Sequence, residues 1–340
     1  MLRGTFAALA AVVALSAHAQ LSPIAQLPTG APALNANAGA TQFTFVVAGD
    51  NRPAKRGEPL TKPLLDIASQ LKASPPAFIV WNGDAIFGKT SIGIGAEYAA
   101  FVDVWRGVPV AIFNAPGNHE MVVQTNIACD KKSAEVPDYG GSMLATYRQS
   151  MAQPYGMFRY GNAAFLVLNT DDVPDVALPS ACDYNGFVSQ AQLDALTASL
   201  KELGGDATVA HIFVFMHRPI HDDNKSKLEP LLEDKSDYAA RLKAFRDLLD
   251  GTANPKVTFV FASHDHRLYV YDNGSLSRSV PATEPPTFVV TGGAGAPLQG
   301  CKDGSPQGSY FHYMKVTVNG AAVSAEVVPL YGTKPCGAGS

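Results

Sequence analysis

The chain has 340 residues, of which 26 are Lys or Arg and 30 are Asp or Glu, for a formal charge of −4 at neutral pH. A mildly acidic chain with no Lys/Arg-rich run lacks the clustered positive charge that a nucleic-acid surface or an anionic membrane requires of a partner. No broad nucleic-acid-binding surface is therefore expected.

At the N-terminus, Arg3 precedes an apolar stretch from Phe6 to Leu15 and then Ala17-His18-Ala19, a small-x-small cleavage pattern. This reads as a secretory signal peptide spanning residues 1–19, too short in its apolar part to persist as a membrane-spanning helix. The expected product starts at Gln20, is exported to a periplasm or the extracellular space, and keeps no membrane anchor. Residues 20–40, rich in Pro, Ala, Asn and Gly and without an apolar period, read as a flexible linker. Residues 41–335 are expected to form one domain.

From Thr41 onward short apolar runs recur: FTFVVAGDNR, AFIVWNGDAIF, VAIFNAPGNHE, AAFLVLNTDD, HIFVFMHRPI and VTFVFASHDHR. Between several of them lie helical patterns, over 60–71, 96–105, 189–203 and 237–249, the third with Ser189 placed to cap it. Near-continuous apolar strands need cover on both faces, and their alternation with helices marks an α/β architecture. Alternating runs around Gly161-Asn162 and Asn319-Gly320 predict hairpins. The expected fold is an α/β sandwich of two sheets flanked by helices.

Cys129, Cys182, Cys301 and Cys336 form no C-x-x-C pair, which argues against a zinc ribbon or a thioredoxin-type redox site. An even count in an exported chain favours disulfides; three pairings are open, and sequence proximity favours Cys129 with Cys182 and Cys301 with Cys336.

The apolar runs end in chemistry-bearing residues: Asp50, Asp84, Asn118 with His119, His217, and His264 with His266. Carboxyl ends of strands in open α/β sheets gather at one edge, so these residues are expected to converge in one cleft. In extended backbone residues two apart share a face, which would turn His264 and His266 the same way and Asp265 away from them. Mixed imidazole and carboxylate donors suit Zn, Fe or Mn, and their number exceeds the needs of one ion. A two-metal site follows.

In order along the chain, Gly49-Asp50-Asn51-Arg52, Gly83-Asp84, Gly117-Asn118-His119-Glu120, His217 and His264-Asp265-His266 resemble the signature of the calcineurin-like metallophosphoesterases. That signature runs D-x-H, G-D, G-N-H-[D/E], H, and G-H-x-H. The resemblance covers Phe43 to about Leu268 and implies a role for each residue. Asp50 and His266 would hold the first divalent ion, Asp84 would bridge, and Asn118, His217 and His264 would hold the second. His119 would donate a proton to the leaving oxygen or stabilise it. A metal-bridging hydroxide would attack phosphorus in a small phosphorylated substrate, a phosphomonoester or a phosphodiester.

This chain departs from the pattern at Arg52, which stands where D-x-H has its histidine and cannot ligate a metal. Phe87 fills the place where some family branches carry a tyrosine. Arg52 is expected to grip the substrate phosphate with its forked donors. The competing reading is that its charge weakens the first metal and leaves a secreted phosphate- or nucleotide-binding protein with one ion and little catalysis. His211, His221 and His312 are read as structural. The run Thr291 to Pro297, TGGAGAP, matches no phosphate-loop pattern and reads as a tight turn at the cleft rim.

Overall fold

Side chains that alternate across a strand need a partner layer on each face. The strands Phe78–Trp81, Ala111–Asn114, Ala163–Val167, His211–Phe215 and Val257–Ala262, buried throughout, find one on both, whereas Ala322–Pro329 leaves alternate residues exposed. The computed structural model describes residues 20, 21, 24, 39–123, 141–175, 186–220, 236–250, 254–271, 274–280, 284–300 and 308–334. The first sheet contains β1 (Gln42–Ala48), β2 (Phe78–Trp81), β3 (Ala111–Asn114), β9 (Ser277–Ser279), β11 (His312–Asn319) and β12 (Ala322–Pro329), in the order β3-β2-β1-β11-β12-β9. The second contains β4 (Gly156–Tyr160), β5 (Ala163–Val167), β6 (His211–Phe215), β7 (Val257–Ala262), β8 (Leu268–Val270) and β10 (Thr287–Thr291), in the order β4-β5-β6-β7-β10-β8. Strands β1 to β3 run parallel, as do β5, β6, β7 and β10. Both predicted hairpins are present: β4 pairs antiparallel with β5, and β11 with β12 around Gly320, whose φ is 61°.

Alternation in β1 shows how the layers form. Phe45 and Val47 point between the sheets, where they join Phe78, Phe113, Phe165 and Phe213. Val46 and Ala48 point the other way, toward α1 (Lys62–Ala73) and α2 (Ile94–Trp105). The inter-sheet layer is aromatic: Phe45 stacks on Phe78 at 5.2 Å, and Phe165 meets Phe78 edge-on at 4.8 Å. Such pairs add about 0.5–1.5 kcal/mol each beyond their burial. On the outer face of the second sheet, α5 (Gln190–Gly205) and α6 (Ser236–Leu249) cover Leu166, Ile212, Val214 and Val260.

The four predicted helices correspond to α1, α2, α5 and α6, and Ser189 caps α5 by accepting the Gln192 N–H at 3.2 Å. Two short helices, α3 (Asn118–Met121) and α4 (Gly141–Ser150), follow β3. Within the stretch read as a linker, Leu21 and Ile24 are each only 2% exposed, and their N–H groups bond to Met157 and Ile112 carbonyls. The leader over 1–19, His221 and all four cysteines lie outside the described residues. Among the described residues no helix is long and apolar enough to cross a membrane.

Candidate metal centre

Each parallel strand hands its chain to a short loop at the same edge of the sandwich, and the loops after β1, β2, β3, β6 and β7 carry the predicted residues. The backbone pays for this convergence with unusual conformations. Asp50, Asp84 and His264 all have positive φ, 60°, 52° and 71°, a region that L-residues enter only when the surroundings hold them there. Gly83 and Gly117 allow the loops to touch. A Cβ on Gly83 would lie 2.6 Å from the Gly117 nitrogen and 2.7 Å from the His217 ring.

Three ligand atoms, of His217, Asn118 and His264, close a ring, and Asp84 adjoins it through His217. His217 Nε2 is 3.3 Å from Asp84 Oδ1 and 3.1 Å from Asn118 Oδ1, and His264 Nδ1 is 3.2 Å from Asn118 Oδ1 and 3.1 Å from His217 Nε2. Ligands that share a cation at about 2.0–2.2 Å sit roughly 3.0–3.4 Å from one another. Beside the ring, oxygens of Asp50 and Asp84 and a His266 nitrogen lie within 4.8 Å of one another, in positions able to hold a second ion. His266 Nε2 is 3.6 Å from Asp50 Oδ1, a buried oxygen with no hydrogen-bond partner. An unpartnered buried carboxylate oxygen is costly, and a cation there removes the cost. The donor set fits divalent metals.

The imidazoles are oriented from behind. His217 Nδ1–H donates to the Asn82 carbonyl at 2.8 Å and His266 Nδ1–H to the Pro297 carbonyl at 2.6 Å, leaving Nε2 of each to face the centre. Burial, reinforced by the charge of Arg52, lowers the His266 pKa and keeps the ring neutral. Burial, then the neighbouring Asp84 charge, raises Asp50 well above the usual carboxylate range. On Asp84 burial also acts upward, but His119, His217 and Arg52 together hold it well below.

His264 lies beside Asn118 and His217 and His266 beside Asp50, a placement that does not come from the pleat of a strand. β7 ends at Ala262, and the left-handed His264 breaks the extended path, so the alternation argument fails while the convergence it predicted stands. The His264 N–H donates to Asp50 Oδ2 at 2.7 Å, tying this loop to the one after β1. Asp265 turns aside and pairs with Arg267.

His119 is 3% exposed, with its Nδ1 bonded to the Phe87 carbonyl and its Nε2 3.7 Å from Asp84 Oδ2. Burial lowers its pKa well below the ordinary value. Arg52 places Nε 3.4 Å from the same Asp84 oxygen. His211 and His312 are structural, as read: His211 Nε2–H donates to the Gly320 carbonyl at 2.9 Å and His312 Nδ1–H to the Tyr310 carbonyl at 2.9 Å.

Other contributors escaped the sequence reading. Glu120 accepts the N–H groups of Gly117, Asp84, Ala85 and Ile86 at 2.6–3.3 Å, locking the loops after β2 and β3 together. Its position within G-N-H-E was the available signal. Burial and then the Asp84 charge push its pKa up to about 8. Arg218 donates from Nε to both oxygens of the buried Asp171, at 2.9 and 3.1 Å, and sets Nη1 3.3 Å from His264 Nε2. Both residues lie at the ends of apolar runs, where the other site residues were found. The Thr291–Pro297 turn braces the centre, with Ala296 N–H donating to the Asp50 carbonyl at 2.7 Å.

The sequence profile of calcineurin-like phosphoesterases matches residues 43–268, more than half of the chain. This chain belongs to the calcineurin-like phosphoesterase family. A metallophosphoesterase of this family is a hydrolase of phosphoesters that uses divalent metals, and the paired ligand groups here are its candidate metal centre. No curated protein sequence matches the chain significantly. Among solved structures, this phosphoesterase resembles a purple acid phosphatase, PPD1, from yellow lupin (Lupinus luteus) seeds, at 15% identity and a TM-score of 0.56. That match covers 86% of this chain and 53% of the lupin one. PhoD is similar at 15% identity and a TM-score of 0.53, over 83% of this chain and 65% of PhoD. At these identities the likeness is one of fold, and the chain spans between half and two thirds of the length of either protein.

Proposed function

We propose that this phosphoesterase is an exported hydrolase of small phosphomonoesters or phosphodiesters that works with two divalent ions of Mn, Fe or Zn. The observation that carries the reading is the cluster of Asp84, Asn118, His217 and His264 ligand atoms linked by contacts of 3.1–3.3 Å, set against the Asp50, Asp84 and His266 group. Bound divalent ions supply Lewis-acid polarisation of phosphoryl oxygens and acidify water. The chain's own residues do the rest. Asp84 belongs to both ligand groups and fixes their spacing. His217 and His266, held from behind by carbonyls, each turn Nε2 toward the centre. His119, with Nδ1 committed to Phe87, offers Nε2 for proton transfer at the reacting oxygens. Arg52, at the edge of the centre, supplies fixed positive charge for the phosphate.

The test is hydrolysis of p-nitrophenyl phosphate and bis-p-nitrophenyl phosphate by the metal-free protein reconstituted with Mn or Zn. Turnover that needs added metal and falls by about 10²–10⁴ in His119→Ala, with metal content retained, is the expected result. Export predicts a mature N-terminus at Gln20. Phosphate binding without turnover under any divalent ion would instead support the one-metal binding protein, the reading that the Arg52–Asp84 contact motivates.

A further inference from the structure

The two halves of the centre are unequal. The ring side joins four protein ligand atoms through contacts of 3.1–3.3 Å, with Asp84 reaching it through His217. Three residues make up the other half, and one of them, Asp84, faces a guanidinium through its second oxygen. Two buried atoms in this half are unpartnered: Asp50 Oδ1 and Arg52 Nε itself. The arginine is close enough to neutralise Asp84 and yet makes no hydrogen bond to it with that nitrogen. Among the described residues its one hydrogen bond is local, from Nη1 to the Pro53 carbonyl at 3.3 Å. The side chain is 18% exposed where Asp84 is 2% exposed, so it lies at the open side of the centre.

Both orphans are resolved by a single exchange. A cation between Asp50, Asp84 and His266 satisfies Asp50 Oδ1 and repels the guanidinium from Asp84. The displaced guanidinium then needs an anion, and a phosphoryl group in the cleft provides one with matching fork geometry. Resting on the metal-centre reading above, we propose that Arg52 is a displaceable counter-ion of the first cation site, so that the first cation and the phosphate bind cooperatively. The ring site, which borders Arg52 through the shared Asp84, is the resident one. Because binding linkage is reciprocal, phosphate tightens the first cation by the same factor as the cation tightens phosphate.

The experiment is equilibrium dialysis of Mn²⁺ against the metal-free full chain, with and without saturating inorganic phosphate, for the wild type, Arg52→Gln and Arg52→Ala. The wild type is expected to bind one Mn²⁺ tightly and a second weakly, with phosphate tightening the second by about tenfold or more. In Arg52→Gln the second ion binds tighter without phosphate, and the phosphate effect shrinks. Two equal Mn²⁺ affinities unaffected by phosphate in the wild type would overturn the inference. So would an Arg52→Gln protein whose second affinity and phosphate effect are unchanged. Binding of no Mn²⁺ at all would overturn the metal-centre reading itself, a result separate from either. The wild-type comparison stands alone should a variant fail to fold.

Discussion

His312 illustrates how a residue can be buried for the fold while its neighbours are buried for the chemistry. It is fully enclosed, donates to Tyr310, and receives the Thr291 hydroxyl at 3.1 Å. Burial pushes its pKa down to about 4. The unfolded chain, with an ordinary imidazole, takes up a proton near pH 6.5 that the folded protein refuses. Stability contributed by the neutral ring is therefore complete above about pH 6.5 and is lost as the pH falls toward 4. Between pH 7 and pH 5 this one residue costs the wild type about 2 kcal/mol. Urea midpoints at the two pH values, for the wild type and His312→Gln, check this: the variant should lose less stability on acidification. From the sequence, His312 and His217 are both single imidazoles bordering an apolar run. Only His217 sits in an ordered set of motifs, and that context separated the candidate ligand from the core histidine.

At the level of elements, the helices were readable because apolar residues at helical spacing and a capping serine are local signals, and α5 begins where Ser189 places it. The end of β7 was not readable. The apolar run passes into Ser263 and His264 with no Gly or Pro to mark a stop, and the left-handed turn at His264 is held by a bond to Asp50, over two hundred residues away in sequence. The loop glycines divide in the same manner. Gly117 sits where a Cβ would press on Asp84 and His217, whereas Gly320, at φ 61°, has nothing within 4 Å. Gly320→Ala should cost about 1–2 kcal/mol from the backbone alone. Gly117→Ala should cost more and should also weaken Mn²⁺ binding at the ring site by about tenfold or more, since it displaces two ligands together. Thermal midpoints with Mn²⁺ titrations of both variants separate the two effects; equal Mn²⁺ affinities would contradict the assignment of Gly117 to the centre.

Across the whole molecule the sandwich itself was legible, because strands apolar on both faces require covering layers. The strand order was not, since nothing in the local sequence tells β1 that its neighbour is β11. Gln42 pairs with Asn319, and Phe43 with Val318, so the first strand of the fold is completed by nearly the last. The chain therefore reaches its chemistry late in time. Asp50 follows β1 by two residues, and β1 remains an open edge until the segment after residue 311 has been synthesised and has docked. Pairings of such separation form slowly because a long loop must close before any contact rewards it. In refolding followed by stopped flow, helical signal should recover before Mn²⁺-binding capacity, and simultaneous recovery would show that the loops assemble without their distant strand. A ribosome-bound chain that stops short of residue 311 would carry every residue of the candidate centre while β1 still lacked the strand that closes its edge.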